Sequence, residues 1–316
     1  MGYSRSTSAD WRSYSSTVSA KSAAAIFTSK TTHNDLNPKG VVCRESRDSD
    51  ANPQSTAIIV GVDVTGSMGM IAEYMVKTGL GVLFNEILDR KPVTDPHLMV
   101  MAIGDANCDT APLQVSQFEA DTKIGNWLEK IYVEGNGGGN DSESYHFPLY
   151  FAANHTSIDC FEKRGKKGYI FTIGDEFTPP TLTKEQIQRF CGDEVSRGFT
   201  YEELLASAER MYDVFHIIVA EGNCARRQLG AVQQKWRDVL GQRAVNLTDY
   251  KALSEVIVSL IQVNEGADKD AVIGSWSGTT AVAVSNATKD LTPRAGGSSL
   301  SSSAGGSSAT PKVVML

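Results

Sequence analysis

Cysteine is scarce and scattered. The five thiols, Cys43, Cys108, Cys160, Cys191 and Cys224, are odd in number and form no Cys-x-x-Cys pair. That argues against a disulfide framework or a cysteine-built zinc site, and reads as the reduced thiols of a cytoplasmic protein. His146 and His155 have no Cys or His partner at zinc-like spacing and read as ordinary histidines. Basic charge is also short. Thirty Lys and Arg face 37 Asp and Glu, for a net charge of -7, so nucleic acid is not the expected partner. The best local exception, Arg226-Arg227 with Lys235 and Arg237, reads as a solvated helix face. No apolar run approaches the length of a membrane span, and the Ser-rich N-terminal segment lacks an apolar signal core, so neither membrane nor secretion is expected.

What remains is ordinary globular composition, 41% hydrophobic and 21% charged over 316 residues, enough for one domain of about 200 residues with extensions. Residues 1–55 are rich in Ser and Thr and are expected to be flexible or draped over a core. One stretch reads equally as a helix, with Asp10 as its cap and Trp11, Tyr14 and Val18 on one side, or as part of a disordered tail. The mixed-charge run Arg44 to Asp50 reads as solvated. From residue 56 to 264 short apolar runs alternate with segments of helical period. The runs are Ala57–Val62, Leu98–Ile103, Tyr169–Ile173, Val214–Val219 and Ala244–Leu247. Several are apolar at every position, as parallel strands covered on both faces must be. Between them, Thr183-x-x-Gln186 and Thr200-x-x-Glu203 are capping boxes, and Leu253, Val256, Ile257, Leu260 and Ile261 form a helical stripe. This alternation predicts an α/β fold, an open, doubly wound, mostly parallel sheet flanked by helices. Residues 265–316 form a C-terminal extension. Ser277–Val284 reads there as one isolated strand, and residues 295–311 as a Gly/Ser-rich linker before a short apolar end.

Ligands of such sheets sit at the carboxyl ends of the strands. The first strand is followed there by Asp63-Val64-Thr65-Gly66-Ser67, and the Tyr169–Ile173 strand by Gly174-Asp175-Glu176. Between them lies the loop Gly135 to Glu143, which lacks the Gly-Lys-Ser/Thr ending of a phosphate-binding loop. These loops offer oxygen ligands at one edge, and a hard cation such as Mg²⁺ or Mn²⁺ takes about six. Asp63 is a charged anchor off a rigid strand, Thr65 and Ser67 aim hydroxyls at the same point, and Asp175 arrives from a neighbouring strand. Asp105 and Asp109 follow the Leu98–Ile103 strand as solvated acids or outer groups. Glu143 and Glu176 are bases beside a metal-bound water in one reading. The preferred reading makes them helix-start or hydrogen-bonding groups.

On these residues the chain resembles a von Willebrand factor A (vWA) domain with a metal-ion-dependent adhesion site. The family pattern is Asp-x-Ser/Thr-x-Ser, a Thr or Asp from a second loop and an Asp from a third. Asp63, Thr65 and Ser67 match the first set and Asp175 the third. The second loop departs from the integrin-like form and is similar to the Gly-Gly-Gly-Asp-x-Pro-Glu loop of intracellular relatives. It leaves Asn140 or Asp141 as the second-loop ligand, with Ser142 behind them. The resemblance implies a metal-dependent binding module, not an enzyme, whose partner offers an Asp or Glu to the cation. It also implies an adaptor role, with a MoxR-type AAA+ ATPase as a candidate partner. The Gly/Ser tail would tether a second contact. A metal-dependent hydrolase and a self-assembling structural protein are the competing readings. Fold alone separates none of these.

Overall fold

In the computed structural model the described residues are 4–134 and 139–294. Six strands form the central sheet: β1 (Thr56–Asp63), β2 (Pro96–Ile103), β3 (Leu113–Val115), β4 (Gly168–Gly174), β5 (Tyr212–Val219) and β6 (Ala244–Leu247). Their order is β6-β5-β4-β1-β2-β3, and every pairing is parallel except β2 with β3. This is the doubly wound α/β architecture expected from the sequence. The five apolar runs are its strands, most of them a residue or two longer at the ends.

Alternation along each strand feeds two cores. On one face Ile58, Val60 and Val62 join Phe171, Phe215 and Val245; on the other Ala57 and Ile59 join Met99, Ile170 and Val214. The first face is covered by α1 (Ser8–Ser19), by α2 (residues 69–90), and by α6 (Leu253–Asn264) and α7 (Gly278–Thr288) from the C-terminal part. The second is covered by α3 (His146–His155), α4 (Tyr201–Ala208) and α5 (Asn223–Leu240). The chain leaves β1 toward β2 and β3 on one side, and β4 leads to β5 and β6 on the other. The winding therefore reverses between β1 and β4, which opens a crevice at their carboxyl ends.

The N-terminal segment is built into this core. The cap of α1 is Thr7, not Asp10: Asp10 occupies the third helical position and closes a capping box, its Oδ2 accepting from Thr7 N at 2.8 Å. Trp11 is fully buried and stacks on Phe84 with centroids 4.1 Å apart. Two glycines make the seat. A side chain at Gly81 would begin 2.3 Å from Ser15 Oγ, and one at Gly125 would begin 2.2 Å from the Tyr14 ring.

From there the chain runs as a belt toward the opposite face. Ser29 Oγ donates to Lys130 O at 2.9 Å, Gly40 N to Cys191 O at 3.2 Å, and the Val41 carbonyl meets His155 Nδ1 at 2.8 Å. The charged run after it is pinned rather than solvated. Arg44–Ser46 pairs in parallel with Thr156–Ile158, Arg47 reaches Asp159 and Glu162, and Asp48 takes Arg164. Arg47 and Asp48 find fixed partners and are half-buried, while Glu45 and Asp50 stay exposed.

Ser277–Val284 is not an isolated strand. It lies largely within α7, where Ala283, Val284 and Ala287 pack against the main core. Burial at helical spacing overrides the β-branched composition. Residues 295–316, including the predicted linker and apolar end, lie outside the described residues.

Two outcomes follow. Trp11→Ala should lower unfolding free energy by about 3–5 kcal/mol, the cost of a large aromatic removed from a core, as read from urea denaturation. A loosely draped extension would lose almost nothing. Burial also holds His97 neutral, with its pKa lowered to about 4. Since the unfolded state binds that proton more readily, His97 contributes stability that is full above the unfolded value of about 6.5. This is lost as pH falls toward 4. The loss should be on the order of 3 kcal/mol, and the decline in urea midpoint below pH 6.5 should be shallower in His97→Gln.

Candidate metal centre

Asp63 ends β1 and is fully buried. Its Oδ1 accepts from Thr65 N at 2.9 Å and Thr65 Oγ1 at 2.8 Å, and its Oδ2 accepts from Tyr145 OH at 2.9 Å. Thr65 stands before the short turn Gly66–Met68, yet its side chain makes no capping bond to that turn. Its hydroxyl serves the carboxylate instead. The side chain of Ser67, in the same turn, lies outside the described residues.

Thr65 Oγ1 also lies 2.8 Å from Glu143 Oε1. Burial and then the charge of Asp63 push Glu143 up to about 10. The Thr65 hydroxyl thus stands between the two acids, within hydrogen-bond distance of both. Glu143 Oε2 is buried without a hydrogen-bond partner. Asp63 itself is raised to about 7 by burial and by the nearby charge of Asp175. Glu176 is raised to about 8, by burial and then by the charge of Asp63.

Asp175 follows β4, beside the end of β1, and is buried. Its Oδ2 accepts from Cys224 N at 2.8 Å and Ala225 N at 3.4 Å, in the first turn of α5. Free N–H groups at a helix start favour an anion. Two glycines clear the way. A side chain at Gly222 would begin 2.2 Å from the Asp175 carboxyl carbon, and one at Gly174 would begin 1.8 Å from Tyr145 OH.

The second loop divides its residues. Asn140 donates to Asp105 Oδ2 at 2.6 Å. Asp141, with φ of 53°, pairs with Arg227 and accepts from Gln228 Nε2 at 3.2 Å. Neither is hydrogen-bonded to Asp63 or Thr65. Ser142 is bridged to Phe177. Asp105 and Asp109 are buried rather than solvated, and Asp109 Oδ2 accepts from Asp105 N at 2.7 Å. The second-loop residue brought to Thr65 is Glu143, in the hydrogen-bonding role read from the sequence. Tyr145 was not foreseen, since a tyrosine at a helix start reads as core. Gly135 to Gly138 lie outside the described residues.

Among the described residues none of Asp63, Glu143, Asp175, Asp105 and Asp109 has an ion-pair partner. No three Asp, Glu, His or Cys side chains there gather around a point that could hold a metal. The donors are nonetheless all hard oxygens, and buried charge without a protein cation is what a divalent ion would relieve. The residues thus fit such an ion as two carboxylates supplemented by hydroxyls and water, with the orphaned Glu143 oxygen at hand.

No family model and no curated protein matches the sequence. Solved structures of similar build do exist. The pilus adhesin SpaC from Lactobacillus rhamnosus GG, in its open conformation, superposes over 72% of this chain with a TM-score of 0.45 and 10% identity. The chain spans 31% of that adhesin. A von Willebrand factor type A protein from Catenulispora acidiphila gives 0.36 and 12% over 66% of this chain and 42% of its own. The conserved hypothetical protein BatB from Bacteroides thetaiotaomicron gives 0.37 and 14% over 64% of this chain and 95% of its own. Likeness of this degree does not carry function. Among the described residues no helix is long and apolar enough to cross a membrane.

Tyr145→Phe leaves Asp63 Oδ2 buried without its donor and should cost about 1–3 kcal/mol. Gly222→Ala should displace the Asp175 carboxylate and be destabilising too. Urea titrations of both variants check this, and wild-type midpoints would refute the hydrogen-bond account of the site.

Proposed function

We propose that the chain is a protein-binding module that holds a divalent cation at Asp63 and uses it to engage a partner's carboxylate. The observation that carries this reading is the pair Asp63 and Asp175. Both are buried, both stand at the carboxyl ends of adjoining parallel strands where the winding reverses, and neither has an ion-pair partner among the described residues. Asp63, Thr65, Ser67 and Asp175 would hold the ion, with Glu143 or the second-loop residues Asn140 and Asp141 closing the set directly or through water. When bound, the ion supplies a Lewis-acidic position for an Asp or Glu side chain. Mg²⁺ and Mn²⁺ both suit these ligands.

The chain's own residues would do the rest. Tyr145 and Thr65 orient Asp63, α5 fixes Asp175, and the rim residue Arg227 adds positive charge beside the entrance. We read the module as an adaptor of the cytoplasm, with a MoxR-type AAA+ ATPase as one candidate partner, and as a binder rather than a catalyst.

The test has two parts. Calorimetric titration with Mg²⁺ and Mn²⁺ should give saturable binding that weakens by roughly tenfold or more in Asp63→Asn, the loss expected when a charged ligand turns neutral. Capture from native cytosol with Mg²⁺, with EDTA, and with Asp63→Asn in Mg²⁺ should retain a partner only in the first condition. The same partners in all three would remove the metal from the recognition surface.

A further inference from the structure

We infer that a second site, separate from the metal centre, binds a small anion where the N-terminal belt passes the edge strand. A cavity of about 210 Å³ lies between residues 37–39 of the belt, the loop 110–113 leading into β3, and the end of the helix Lys184–Phe190. It is small beside the roughly 300–1,000 Å³ of pockets for drug-sized ligands, so it suits a compact ligand.

Two cations line it, Lys39 and Arg189, and no carboxylate does. This is unusual on a chain of net charge -7. Neither cation has an ion-pair partner among the described residues, and several acids of the surrounding segments are engaged elsewhere. Glu134 accepts from Thr110 N, Thr110 Oγ1 and Ala111 N; Asp35 pairs with Lys130; Asp193 takes His155 and Tyr150.

Both cations are exposed, and each rests against a neighbour. Lys39 N donates to Asn37 Oδ1 at 3.0 Å, and the Lys39 stem lies against Gly192, whose φ of +86° and missing side chain make room for it. The Arg189 guanidinium sits 4.6 Å from the centroid of the Phe190 ring. Thr32 adds a hydroxyl, while Pro38, Pro112 and Leu113 give an apolar wall; the Thr110 hydroxyl is held by Glu134. Two cations without ion-pair partners, a hydroxyl and an apolar floor suit a carboxylate or phosphate on a short apolar body.

That chemistry has two sources, a free small anion or an acidic side chain of a bound peptide. The full-length chain, isotopically labelled, is titrated with inorganic phosphate and separately with a short peptide bearing a single glutamate, at constant ionic strength. Chloride serves as the control. We expect saturable NMR shifts at Lys39, Thr110, Ala111 and Arg189 Nε, unchanged by EDTA. They should be weakened by roughly tenfold or more in the double variant Lys39→Gln with Arg189→Gln, in line with the loss of charged hydrogen bonds. Both residues are exposed, and an otherwise unchanged spectrum would verify the fold. The tighter probe names the source. Equal shifts with chloride, no saturation with either probe, or a double variant that responds like wild type would overturn the site. Because no step involves Asp63 or a cation, the result stands whether or not the metal reading does.

Discussion

A carboxylate taken wholly out of water at the end of the central strand is the constraint around which the molecule is arranged. Ionised carboxylates are stable in such surroundings only with dense hydrogen bonding or a cation beside them. Asp63 has the first in part. Thr65 offers a hydroxyl and an amide, and Tyr145 offers a phenol. Those demands propagate outward. Tyr145 reaches Asp63 only because position 174 is glycine, and its ring is fixed edge-on against His216 and Trp236. Asp175 reaches the start of α5 only because position 222 is glycine. The site therefore draws on β1, β4, β5, α5 and the turn ahead of α3, and its geometry is a property of the whole sheet.

The belt passes near the sheet's edge, where a different demand arises. A short antiparallel strand such as β3 leaves hydrogen-bonding groups facing outward. Gln114 bonds the Tyr132 backbone through both its amide atoms, and the belt passes close by at residues 32–39. At the far pole Arg294, just before the last described residues end, ties Asp213 and Glu265. The extensions on both sides of the sheet region thus carry side chains that the core needs.

How much of this the sequence disclosed follows from the range of each interaction. Strands buried on both faces are written locally as apolar runs, so β1, β2, β4, β5 and β6 were legible. The boxes Thr183 with Gln186 and Thr200 with Glu203 were legible because both partners lie three residues apart, and both form. Asp63 and Asp175 could be named from their places after strands. The meeting of Glu143 with Thr65, 78 residues away, depends on how a glycine-rich loop folds back, and no local period records that. The belt was illegible for the same reason. Its charges read as solvated until Asp159, Glu162 and Arg164, more than a hundred residues on, supply partners. The misread strand at Ser277–Val284 had a local signal that favoured the wrong answer, and packing of Ala283, Val284 and Ala287 decided it.

The treatment of buried acids in the two halves of the molecule gives the metal reading its physical force. Where Asp213 is buried, Arg243 and Arg294 meet it and Asn264 donates to it. Where Asp159 is buried, Arg47 and Lys163 meet it. At these two places the chain meets a buried carboxylate with its own cations. Around the crevice it supplies neutral donors alone to Asp63, Glu143 and Asp175, and lets their pKa values rise. Leaving such a cluster short of positive charge costs stability, and an arginine on any of the surrounding loops would relieve it. A fold that meets Asp213 and Asp159 with its own cations, yet pairs the rim's Arg227 with Asp141, leaves a cluster that the cation we propose would complete.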